Sequence, residues 1–83
     1  MQVRLLFFAT LKDIVGAREM RVDIPPNSSV GDLLTQLEQS YPRLRDYRQI
    51  VLTAVNEEYV SKTATITDGD EVALFPPVSG GAP

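Results

Sequence analysis

Ser29-Val30-Gly31-Asp32-Leu33-Leu34-Thr35-Gln36-Leu37-Glu38-Gln39-Ser40 holds the one long helical pattern in the chain, and the fold is built around it. Val30, Leu33, Leu34 and Leu37 recur at i, i+3, i+4 and i+7, the spacing that lines one face of an α-helix. Ser29 followed by Asp32 three residues later predicts a capping box, with Asp where Glu is commoner. Pro42 disfavours helical backbone at Tyr41, so the helix is expected to end near Ser40-Tyr41. Gly31 costs about 1 kcal/mol of helix propensity relative to Ala, which is tolerable in a first turn.

Outward from this helix the period falls to two. Upstream, Gln2 to Phe8 reads as a strand in which Val3, Leu5 and Phe7 alternate with Arg4, Leu6 and Phe8. From Leu5 onward both of its faces are apolar, which predicts a central strand covered on both sides. Leu11, Ile14 and Val15 form a short helical turn closed by Gly16. Glu19 to Ile24 alternates again, with Met20, Val22 and Ile24 on one face, until Pro25-Pro26 stops it. Downstream, the polar residues 43–50 read as loop. Val51 to Val55 is a strand, Asn56-Glu57-Glu58 a turn, and Tyr59-Val60 a short return. Thr65-Ile66 precedes Thr67-Asp68-Gly69-Asp70, a turn signal, and Glu71 to Phe75 is the last strand, cut by Pro76-Pro77.

One long helix among about five strands predicts an α+β domain: a mixed sheet with the helix packed across one face. With the first and last strands, the most apolar, side by side in the centre, that is a ubiquitin-like β-grasp over residues 1–77. Residues 78–83 have nothing to pack against and are expected to form a flexible tail.

Composition narrows the chemistry. In an 83-residue chain a single core buries only about 60% of the unfolded surface, which leaves little room for an internal substrate cavity. The sequence contains no Cys and no His, so thiolate or imidazole chemistry and metal ligation by either are excluded. Glu57-Glu58 and Asp68, Asp70 and Glu71 read as solvated turn acids, and no metal site is expected. A net charge of −3 and scattered Lys and Arg give no basic footprint for nucleic acid, and Arg43, Arg45 and Arg48 read as a solvated loop. No apolar run approaches the ~20 residues that span a bilayer, and no secretory signal is legible, so the expected location is cytoplasmic.

The C-terminal sequence Val78-Ser79-Gly80-Gly81-Ala82-Pro83 follows two prolines that hold the chain extended as it leaves a core strand. Phe75-Pro76-Pro77-Val78-Ser79-Gly80-Gly81 resembles the ending of the small subunits of molybdopterin synthase, a family of ubiquitin-like sulfur carriers. The resemblance extends to Val3-Arg4-Leu5-Leu6-Phe7-Phe8-Ala9, Leu11-Lys12-Asp13-Ile14-Val15-Gly16, Ala54-Val55-Asn56 and Thr67-Asp68-Gly69-Asp70-Glu71-Val72-Ala73. It implies a non-catalytic subunit that binds no cofactor itself and works through its tail. A ubiquitin-activating-type enzyme uses ATP to adenylate Gly81, and sulfur then converts the acyl-adenylate into a thiocarboxylate. Val78, Ser79 and Gly80 thread the tail into the large synthase subunit, which passes the sulfur to a pterin precursor of the molybdenum cofactor. Gly80 and Gly81 suit a narrow channel because neither carries a Cβ.

The sequence departs from that pattern after Gly81, whose carbonyl is joined to Ala82. Activation therefore implies prior removal of Ala82-Pro83 by a peptidase; otherwise the chain is not activated. The family also docks through a sheet face, and Phe7, Phe75, Pro76 and Pro77 are the residues this implies here, with Arg4, Lys12 and Lys62 as polar rim. Phe7 and Phe75 read equally well as plain core, and exposure on the helix-free side decides between the two. Two other uses fit a Gly-Gly tail: conjugation to target lysines as a protein modifier, or sulfur donation for thiamine, cysteine or tRNA thiolation.

Overall fold

The structure is a computed structural model and describes residues 1–77. Five strands form one sheet in the order β2-β1-β5-β3-β4. They are β1 (Gln2–Phe7), β2 (Glu19–Asp23), β3 (Leu52–Val55), β4 (Glu58–Tyr59) and β5 (Glu71–Phe75). Helix α1 (Ala9–Val15) links β1 to β2, and α2 (Val30–Ser40) lies across one face. β1 and β5 occupy the centre and run parallel, Leu5 beside Val72 and Phe7 beside Leu74. The other pairs are antiparallel.

The expected helix carries its expected cap. The Ser29 hydroxyl accepts the Asp32 N–H at 3.1 Å and the Asp32 carboxylate accepts the Ser29 N–H at 2.9 Å. Two further N–H groups of the first turn, from Val30 and Gly31, donate to the carbonyls of Ala64 and Lys62. Gly31 is therefore more than a propensity cost. A Cβ there would stand 3.3 Å from the Lys62 carbonyl oxygen, so the small residue lets residues 62–65 pass against the helix. The apolar stripe Val30, Leu33, Leu34 and Leu37 packs on Val3, Leu5, Phe7, Val72 and Leu74 of the sheet to form the core.

Turn chemistry fixes the strand ends. Gly16 closes α1 at φ 84, the left-handed C-cap that glycine takes without a Cβ clash. Asn56 and Glu57 both have positive φ, 51° and 71°, the conformation demanded by a two-residue hairpin that matches strand twist. The acids of the 67–70 turn are used up by the fold. Asp68 accepts the Gln2 N–H at 2.7 Å, and Asp70 accepts the Thr67 N–H and the Asn56 side-chain amide.

Three expectations are corrected. β1 is covered on one face only: with a single long helix above the sheet, Leu6 stays half-buried and Phe8 exposed on the opposite side. Residues 43–50 are not all loop, since Pro42–Tyr47 form a 3-10 helix that buries Leu44. One apolar residue among charges has no period to read. In the same segment Arg48, expected to be solvated, pairs with the buried Glu38 at 3.0 Å and donates to the Gly31 carbonyl.

Candidate functional site

The helix-free face carries every second residue of each strand. In β1 these are Arg4 and Leu6, continued by Phe8, whose extended backbone (φ −126°, ψ 150°) keeps the strand's alternation going for one more residue. Ala9 then turns the chain away at φ 51°. In β5 they are Glu71, Ala73 and Phe75, and the antiparallel register sets Leu52 opposite Phe75 and Ala54 opposite Ala73. Tyr59 of β4 lies beside Ala54.

These positions bring three aromatic rings together. Phe8 and Phe75 stack with centroids 4.5 Å apart and planes within 13°, and Tyr59 approaches Phe75 at 6.2 Å with a tilt of 51°. The rings border an open groove of about 320 Å³, with Leu6, Ala54 and Ala73 as its floor. Phe8 is 39% exposed, Leu52 40% and Tyr59 72%, so a contiguous apolar surface faces solvent. Such a patch on a small domain marks an interaction site. Phe75 is the last residue of β5, and Pro76 and Pro77 follow it directly, so the chain leaves the fold from the aromatic cluster.

Phe7 does not belong to this face. It is 2% exposed and packs in the core beneath α2, because it shares the parity of Val3 and Leu5. The partner of Phe75 is Phe8. The alternation of β1 already held the signal, since Phe8 has the parity of the charged Arg4 and Phe7 that of the buried residues. Leu52 and Tyr59 escaped the reading because their place beside Phe75 depends on the β3–β5 and β3–β4 registers. Lys62 borders the same surface next to Leu52 and Tyr59, whereas Lys12 lies apart on α1. Val78, Ser79, Gly80 and Gly81, the expected donor segment, lie outside the described residues.

The model of the ThiS family matches residues 5–81, nearly the whole chain and both glycines. The chain belongs to the ThiS family. Among the curated proteins this ThiS-family chain is 36% identical to the molybdopterin synthase sulfur carrier subunit of Dictyostelium discoideum, covering 96% of each chain. It is 39% identical to the protein of that name from Escherichia coli, covering 95% of this chain and 99% of that one. Among solved structures it is similar to SAMP1 from Haloferax volcanii, at 33% identity and a TM-score of 0.82 over 98% of this chain and 100% of the other. The fold of the ThiS-family chain is thus the ubiquitin-like β-grasp that its element order predicts. Among the described residues no helix is long and apolar enough to cross a membrane.

Proposed function

We propose that the protein carries sulfur on Gly81 for molybdopterin synthase, docking through the Phe8–Phe75–Tyr59 face while its C-terminal segment reaches a partner's active site. The observation that carries this reading is the aromatic groove ending where β5 gives way to Pro76-Pro77, four residues before Gly80-Gly81 in a segment that matches the family through residue 81.

The chemistry needs no side chain of this protein. A carboxylate oxygen of Gly81 attacks the α-phosphorus of ATP on the adenylating enzyme, forming the acyl-adenylate and releasing pyrophosphate. A hydrosulfide ion supplied with that enzyme then attacks the acyl carbon, expels AMP and loses its proton, leaving the thiocarboxylate. The large synthase subunit binds Val78, Ser79 and Gly80, and there the sulfur passes to the pterin precursor while water restores the Gly81 carboxylate. The ATP consumed by the partner goes with a cytoplasmic location. Ala82 follows Gly81 in this sequence, and an amide carbonyl offers no carboxylate oxygen to attack phosphorus. Cleavage of the Gly81–Ala82 bond by a peptidase therefore precedes activation.

Intact-mass measurement of the protein from its native cell tests the reading. A species ending at Gly81 with one oxygen replaced by sulfur is expected. Gly81→Ala abolishes or sharply slows thiocarboxylate formation while thermal unfolding stays unchanged. Normal sulfur transfer by that variant ends the hypothesis.

A second reading, a modifier joined to lysines, draws on the similarity to SAMP1 and to a second solved Haloferax volcanii structure, of small archaeal modifier protein 1. Lysine-linked conjugates recovered from cells, with no thiocarboxylate form, favour it instead.

A further inference from the structure

Phe75 is fixed from several sides. Its strand, β5, runs between β1 and β3, with Leu52 opposite it, and its ring is stacked on Phe8 and approached by Tyr59. Of the two residues that follow, Pro76 is half-buried and Pro77 exposed. Among the described residues the aromatic groove is lined by Phe75 but by neither proline. The prolines carry the chain past the groove rather than building its walls.

Proline chemistry restricts this stretch twice over. Each ring fixes its own φ at about −65°, and each also bars the residue before it from helical backbone. Phe75 and Pro76 both precede a proline, so from Phe75 to the end of Pro77 only the ψ of Pro77 keeps its ordinary range. The far end of the segment is the reverse. Gly80 and Gly81 lack a Cβ, and glycine loses more freedom on ordering than any other residue. A stiff base lowers the entropy lost when such a tail is threaded, because prolines have less freedom to lose. Gly81 lies six residues beyond Phe75, and a chain of that length spans at most about 21 Å. A tether gives its highest effective concentration when its length matches the span it must bridge.

We propose that Pro76 and Pro77 are positioning residues, a stiff spacer that turns docking of the Phe8–Phe75–Tyr59 face into a set heading and reach for Gly81. The proposal rests on the sulfur-carrier reading above. The pair touches no reacting atom. It removes the conformations in which a docked carrier would point its glycines away from the partner's active site. The acyl carbon of Gly81 then works no more than about 21 Å from Phe75.

Steady-state sulfur transfer is the test, with the thiocarboxylated carrier ending at Gly81 varied against the large subunit loaded with pterin precursor, alongside thermal unfolding of each variant. Pro77 is the clean position, because it is exposed and lies beyond β5. Pro77→Ala is expected to lower kcat/KM about twofold to fivefold, the usual worth of one proline's restriction, and Pro77→Gly by about a further twofold or more. Pro77→Val, β-branched and biased towards extended backbone, is expected to recover part of the Pro77→Ala loss. Unfolding temperatures are expected to stay unchanged. Equal losses for Pro77→Ala and Pro77→Gly, with none recovered by Pro77→Val, show a lost ring contact and overturn the spacer. A lowered unfolding temperature accompanying the loss shows a structural role and overturns it too. Phe8→Ala serves as the docking reference. If it lowers kcat/KM while all three Pro77 variants transfer normally, the spacer falls and the docking face stands. If the unaltered thiocarboxylate passes no sulfur to the precursor, the carrier reading itself fails and takes the spacer with it.

Discussion

Phe7 and Phe8 are neighbours in sequence with opposite tasks, because successive strand side chains point to opposite faces. Phe7 fills the core beneath α2, and Phe8 lies against Phe75 on the open side. Replacing them separates stability from docking. Phe7→Ala is expected to cost about 3–5 kcal/mol in denaturant titration, since it opens a cavity in a small core. Phe8→Ala removes a partly exposed ring and one stacked contact, so its stability cost is about 1 kcal/mol or less. The same change is expected to weaken association with the large subunit roughly tenfold or more, as truncation of an aromatic anchor does. Equal unfolding free energies for the two variants would contradict the assignment of faces.

At the scale of elements, the N-terminus of α2 shows how one short motif serves both the helix and the fold. Ser29 and Asp32 cap each other, while the Val30 and Gly31 N–H groups are satisfied by residues 62 and 64. Ser29→Ala is expected to lower stability by about 1 kcal/mol, the usual worth of such a cap. Gly31→Ala tests the packing against the propensity. Helix preference alone predicts a gain of about 1 kcal/mol. The 3.3 Å approach of the Lys62 carbonyl to the added Cβ predicts no gain, or a loss, together with faster amide exchange at Val30 and Gly31. A clear stabilisation by Gly31→Ala would show that the 62–65 segment moves away freely.

For the molecule as a whole, the decisive feature is that the first and last strands pair at the centre of the sheet. The fold is closed by contacts between its first and last strands, and β5 brings the chain to Pro76-Pro77 beside the aromatic cluster from within the sheet rather than from an edge strand. Leu74, fully buried on β5 beside Phe7, supports both arrangements. Leu74→Ala is expected to cost about 2–4 kcal/mol. Against the roughly 5–10 kcal/mol available to a domain of this size, that brings the protein near its unfolding threshold at physiological temperature. Thermal unfolding followed by circular dichroism measures it. Sulfur transfer by this variant should then fall with the folded fraction, whereas Gly81→Ala loses transfer with the fold intact.

What the amino-acid sequence alone determined was everything carried by local period and turn chemistry. The α2 stripe and its capping box, the alternation of β1 and β2, Gly16 as a helix stop, and the Asp-Gly turn before β5 each need only near neighbours, so each is legible in a one-dimensional pattern. The family blocks and the Gly80-Gly81 segment were legible for the same reason, although that segment lies outside the described residues. Which apolar residues remain uncovered depends instead on how the elements pack. A single helix can cover only one face of the sheet, and the side it covers sends Phe7 inward and leaves Phe8 out. Leu52 and Tyr59 reach Phe75 through strand registers, and Arg21 meets Arg4 in the same way. The reason is physical: register is set by pairing between segments far apart in the chain, and no local periodicity encodes it.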